Sequence, residues 1–140
     1  TICMTMFKGR KRIFAEEPRS PEYSKNILPK YNIIPVIITG RESQIVQNRC
    51  VELGIHYLYQ GISQKEEKLK DLLEELHLTY ENVYYIGDDL NDINCMKKAK
   101  FSGCPKDAAE EAKKVSDFVS SYNGGNGAVR EFIEWLICTY

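Results

Sequence analysis

The chain has 140 residues, 43% hydrophobic and 28% charged, with 19 Lys and Arg against 20 Asp and Glu, for a formal net charge of −1. That length suits one domain, and so even a charge balance supplies no field to draw the protein to nucleic acid or to an anionic membrane. No apolar run approaches a membrane span, the first residues lack the charged-then-apolar order of a secretory signal, and the five scattered cysteines lack the close pairs of a zinc site, so a single cytoplasmic domain with reduced thiols is expected over residues 1–140.

The first thirty residues follow rules of their own. Thr1 to Phe7 and Arg12 to Ala15 read as the two arms of a hairpin turning at Lys8-Gly9-Arg10, and Glu16 to Pro21 reads as loop. From Asn32 onward short apolar runs alternate with amphipathic segments, the rhythm of strand-helix units around a parallel sheet. Ile33 to Thr39 reads as a buried strand, and Ser43 to Leu53 as a helix with Ile45, Val46, Cys50 and Leu53 inward. His56 to Tyr59 is the next strand, followed by a helix over Lys65 to Leu76 whose Leu69, Leu72, Leu73 and Leu76 define one apolar face. Val83 to Ile86 is a strand, Asn91 to Lys98 a helix, Phe101 to Gly103 a strand and Ala108 to Val115 a helix. Asp117 to Val119 reads as a final edge strand and Ala128 to Cys138 as a closing amphipathic helix after a glycine-rich turn. The fold class is therefore α/β, a Rossmann-like parallel sheet flanked by helices. Nothing ahead of Ile33 supplies a convincing central strand.

Chemistry concentrates where the Val83 to Ile86 strand ends in Gly87-Asp88-Asp89-Leu90-Asn91-Asp92. Carboxylates at the carboxyl edge of a sheet suit a hard cation such as Mg²⁺, which takes one or two carboxylates and leaves its other positions to water and phosphate oxygens. An acidic helix start that merely complements the helix dipole has the same composition. An EF-hand loop does not fit, because the acidic spacing is wrong and its central Gly and terminal Glu are absent. Thr39-Gly40-Arg41 ends another strand, so the Thr39 hydroxyl and adjacent N–H groups would face the same edge, and Lys65 opens a helix from which an ammonium could neutralise a phosphoryl group. An ordinary turn and a solvated lysine are the plain alternatives. Together the hydroxyl, amine and carboxylates favour phosphoryl chemistry.

Four segments, Ile37 to Ser43, Leu58 to Gly61, Tyr85 to Asp92 and Gly124 to Glu131, resemble the haloacid-dehalogenase superfamily. They are most similar to its capless branch, which includes 3-deoxy-manno-octulosonate 8-phosphate phosphatases and nonulosonate (sialic-acid-type) 9-phosphate phosphatases. The resemblance runs from about Asn26 to the C-terminus. It implies a Mg²⁺-dependent phosphomonoesterase for a small sugar-acid phosphate, usually a homotetramer. By position it makes Thr39 and Lys65 catalytic, Gly40 and Arg41 substrate-binding with them, and Asp88 the metal ligand, supported by Asp89 and Asp92. Arg130, after the glycines, becomes a substrate contact.

The departures are as specific as the match. The branch takes its nucleophile from an Asp-x-Asp-Gly motif ending the first strand, whereas this chain has no aspartate before Asp71. Gln64 stands where an Asp usually precedes the lysine. The first strand and its motif are therefore expected to be missing, through truncation, a frame change or loss, and the 140 residues to be inactive. Two rivals follow: a non-catalytic oligomerisation domain like that appended to some acylneuraminate cytidylyltransferases, and a receiver-type domain, which sets its acidic pair earlier in the sheet.

Overall fold

Short apolar runs with no polar face are what a strand covered on both sides requires, and here they assemble into one parallel sheet. The structure, a computed structural model, describes residues 2–5, 34–40, 42–124 and 128–139. Six strands, β1 (Ile2–Thr5), β2 (Ile34–Ile38), β3 (Tyr57–Tyr59), β4 (Val83–Ile86), β5 (Phe101–Cys104) and β6 (Phe118–Val119), lie in the order β3-β2-β1-β4-β5-β6. Every pairing is parallel. The helices are α1 (Gln44–Leu53), α2 (Lys65–Glu75), α3 (Ile93–Lys98), α4 (Glu110–Val115) and α5 (Ala128–Thr139).

The period of two along a strand sorts the core into two layers. Val36 and Ile38 of β2 share a cluster with Val83 and Tyr85 of β4, and α2, α3 and α4 close it with Leu69, Leu72, Leu73, Met96 and Ala112. Their neighbours Ile37 and Ile86 point the other way, into Cys50 of α1 and Phe132, Ile133 and Leu136 of α5. Helices thus cover both faces. Local signals agree: the Ser43 Oγ accepts from Val46 N to start α1, and Gly54, at φ 71°, ends it in the left-handed conformation glycine adopts without penalty.

Two expectations are corrected. Ile2–Thr5 is not an arm of an exposed hairpin: it occupies the slot expected to lack a strand, at the centre of the sheet, in register with Ile34–Ile37 on one side and Val83–Ile86 on the other. The other arm, Arg12 to Ala15, and the turn at Lys8-Gly9-Arg10 lie outside the described residues. On α1, Cys50 is buried as its spacing predicts, whereas Ile45 is 54% exposed, because the sheet meets that helix along a narrower stripe. Asp92 closes a 3₁₀ turn, Leu90–Asp92, that leads into α3.

Candidate active site at the carboxyl edge of the sheet

Strand direction gathers the candidate residues. β2 and β4 flank β1, so Thr39, just past β2, and Asp88, just past β4, leave the same edge about 10 Å apart, twice the spacing of neighbouring strands. The chain builds β2 and β3 on one side of β1 and β4 to β6 on the other, and such a reversal opens a crevice at the carboxyl edge. Thr39 is buried, and its backbone is tied into the neighbouring β3 segment: its N–H donates to Tyr59 O at 2.9 Å and its carbonyl accepts from Ile62 N at 3.0 Å. Gln60 adds a tie that sequence reasoning gave no role, accepting from Ser43 N through its Oε1 at 2.7 Å. The two loops are therefore tied to each other.

Asp92 is the hub. Its Oδ1 accepts from the Lys65 ammonium at 3.0 Å and from the Tyr85 phenol at 2.8 Å, while its Oδ2 accepts from the backbone N–H groups of Asp88 at 3.1 Å and Asp89 at 3.2 Å. Side-chain exposure is 1% for Lys65 and 0% for Asp92, so neither charge has water to fall back on. A carboxylate so buried is stable only because a counter-charge and three further donors replace its hydration. Gly87 makes the approach feasible, since a Cβ there would stand 2.6 Å from the Asp92 Cβ. Burial first, and the Asp92 charge second, hold the Tyr85 phenol well above its ordinary value, so it stays a donor. Burial likewise pushes the nearby Cys95 thiol up to about 11, which keeps it protonated and unreactive at neutral pH.

The three carboxylates differ in what holds them. Asp92 spends both oxygens on protein donors and holds the loop and the lysine. Asp88 and Asp89, half-buried, have their backbone fixed by it at the edge. Among the described residues no three His, Cys, Asp or Glu side chains converge as a ready-made cation cage. A pair of carboxylates with oxygen donors only is still the set that a weakly held, largely hydrated Mg²⁺ uses, so the residues present fit that ion.

The remaining candidates are placed less tightly. Gly40 is exposed, and a Cβ on it would meet only Ile62 O at 3.6 Å, an ordinary contact. Arg41 lies outside the described residues, as do Gly125 to Gly127. Arg130, half-buried on α5, donates from Nε to Glu134 Oε1 at 3.2 Å. Gln64 begins α2 without a side-chain cap, the local consequence of lacking the carboxylate expected there. Sequence reasoning missed Tyr85, whose pattern reads simply as buried strand; with Tyr84 beside it in Val-Tyr-Tyr-Ile, its hydroxyl was no distinguishing signal.

Residues 52–133 match the family described as haloacid dehalogenase-like hydrolase. The 3-deoxy-D-manno-octulosonate 8-phosphate phosphatase of Salmonella typhi is 45% identical over 106 residues, 76% of this chain and 56% of that protein, and its Escherichia coli K12 counterpart is 46% identical over 101 residues, 72% and 54%. The chain thus spans about half the length of the curated relatives it matches. Among solved structures, the phosphatase of that name from Moraxella catarrhalis, in complex with magnesium ion, phosphate ion and a KDO molecule, superposes with a TM-score of 0.85 at 29% identity, covering 98% of this chain and 85% of the other. The corresponding Yersinia pestis structure gives 0.83 at 29%, covering 98% and 80%.

Proposed function

The chain belongs to the haloacid dehalogenase-like hydrolases, and on that footing we propose that it is a phosphatase domain of the sugar-acid phosphate type, directed to 3-deoxy-octulosonate 8-phosphate. The observation that carries the reading is the buried Lys65–Asp92 pair, which ties an ammonium to the loop bearing Asp88 and Asp89 at the edge where Thr39 also emerges. Lys65 would neutralise phosphate charge, Thr39 would bind a phosphate oxygen through its hydroxyl, and Gly40 and Arg41 would line the substrate. Arg130 would contact the sugar acid. Asp88, with Asp89 beside it, would hold Mg²⁺. When bound, that ion would draw negative charge from phosphoryl oxygens. The octulosonate ester is favoured over a sialic-acid-type substrate because the Salmonella typhi and Escherichia coli relatives bear the name of octulosonate phosphatases. The same names give no support to a non-catalytic oligomerisation domain. The reading includes a cytoplasmic homotetramer without nucleic-acid or membrane partners; among the described residues no helix is long and apolar enough to cross a membrane.

The nucleophilic Asp-x-Asp-Gly that the family resemblance implies has no counterpart in the sequence, where Met6-Phe7-Lys8 follows β1 and no aspartate precedes Asp71. The expected behaviour is weak Mg²⁺ binding without phosphate release. Calorimetric titration should give millimolar-range Mg²⁺ affinity that Asp88→Asn abolishes, and sedimentation equilibrium a mass of four chains. Incubation with 3-deoxy-octulosonate 8-phosphate should release no phosphate above the buffer blank. Release that EDTA stops would show that another group attacks phosphorus.

A further inference from the structure

Tyr85 stands where a phenylalanine would satisfy the core: it is 0% exposed, on the β4 face packed by α2 and α3. Its hydroxyl goes to the one oxygen that also holds Lys65. A carboxylate oxygen offers two lone-pair directions, and here the phenol occupies one and the ammonium the other. Oδ2 is meanwhile fixed by the Asp88 and Asp89 amides, so the carboxylate cannot turn about its own axis. Lys65 has three N–H donors, and among the described residues Asp92 is its one hydrogen-bond acceptor, which leaves the others for something not supplied by that part of the chain.

We propose that Tyr85 is a positioning residue: by filling one lone pair of Asp92 Oδ1 it confines the Lys65 ammonium to the other, aiming its remaining donors at a phosphate-type anion at the carboxyl edge. The identity of the anion rests on the phosphatase reading; the tether itself does not. A tyrosine present only to satisfy the core would stabilise the fold and leave Lys65 indifferent to its loss. Loss of the phenol in the positioning role frees the second lone pair, so the ammonium samples two sites instead of one.

The test is Tyr85→Phe in the full 140-residue chain, with Lys65→Ala alongside, read by side-chain ammonium NMR and by titration with inorganic phosphate in the presence of Mg²⁺. One hydrogen bond from a neutral phenol to a charged carboxylate is at stake, so Lys65 ammonium exchange with water should quicken about tenfold and phosphate should bind roughly tenfold more weakly. Exchange and affinity both unchanged in a folded Tyr85→Phe protein would overturn the proposal. If wild type and Lys65→Ala are equally indifferent to phosphate while Tyr85→Phe still speeds exchange, the tether stands and the phosphatase reading of Lys65 falls. Should Tyr85→Phe not fold, 3-fluorotyrosine placed at position 85 keeps the volume and strengthens the donor. The Lys65 ammonium signal should then shift, and an unmoved signal would equally overturn the tether.

Discussion

Gly87 has no side chain because Asp92 takes the space one would need. A methyl group there would stand 2.6 Å from the Asp92 Cβ and 2.8 Å from its Cγ, against a carboxylate that four hydrogen bonds hold in place. Gly87→Ala should therefore cost about 1–3 kcal/mol, the usual range for overpacking a tight site, and displace the carboxylate that holds Lys65. Gly40→Ala is its control: with only Ile62 O at 3.6 Å, urea denaturation should place it within about 0.5 kcal/mol of wild type. Residue types and order exposed much of this site, because a hydroxyl, an amine and carboxylates at strand ends can be read from the chain. Residue types alone could not divide the labour among the carboxylates, which only the family resemblance separated into a ligand and its supports. Asp88, Asp89 and Asp92 look alike in sequence, and only the positions of Tyr85 and Lys65 in space decide which one is consumed by hydrogen bonds.

At the level of elements, legibility followed periodicity. The Leu69, Leu72 and Leu73 stripe of α2 is buried as its spacing requires, and β4 spans Val83–Ile86 as the apolar run suggests. β1 was legible as a strand but not as the central one, because four residues do not say which neighbours they will pair with, and its place is set by β2 and β4 on either side. α5 is the helix on which one face of the sheet leans most. Phe132, 0% exposed, lies against Gly103, where a Cβ would come within 2.5 Å of its ring, and Phe118 stacks on Trp135 with centroids 5.1 Å apart. Truncating Phe132 to Ala leaves a void that a glycine cannot fill. The expected loss is about 3–5 kcal/mol in equilibrium denaturation, with α5 amides the first to lose hydrogen-exchange protection.

For the molecule as a whole, the buried thiols and phenol set an alkaline limit. Burial raises Cys50 and Cys95 from an ordinary 9.0 to about 11, and Tyr85 lies well above its ordinary 10.0. A raised folded-state value means a stabilising term fully present below the unfolded value and lost as pH climbs through the folded one. Melting temperature should hold to about pH 9 and fall between pH 9 and about 11, and Cys50→Ala with Cys95→Ala should flatten that slope in calorimetric scans. The position of β1 has a further consequence, for the order in which the protein can be made. Its partners begin at Ile34 and Val83, so a nascent chain leaving the ribosome carries the keystone ahead of both and cannot complete its pairing until the fourth strand has emerged, several seconds later at roughly 5–20 residues per second. Until then β1, paired with β2 on one side, presents its other flank to any chaperone or neighbouring chain.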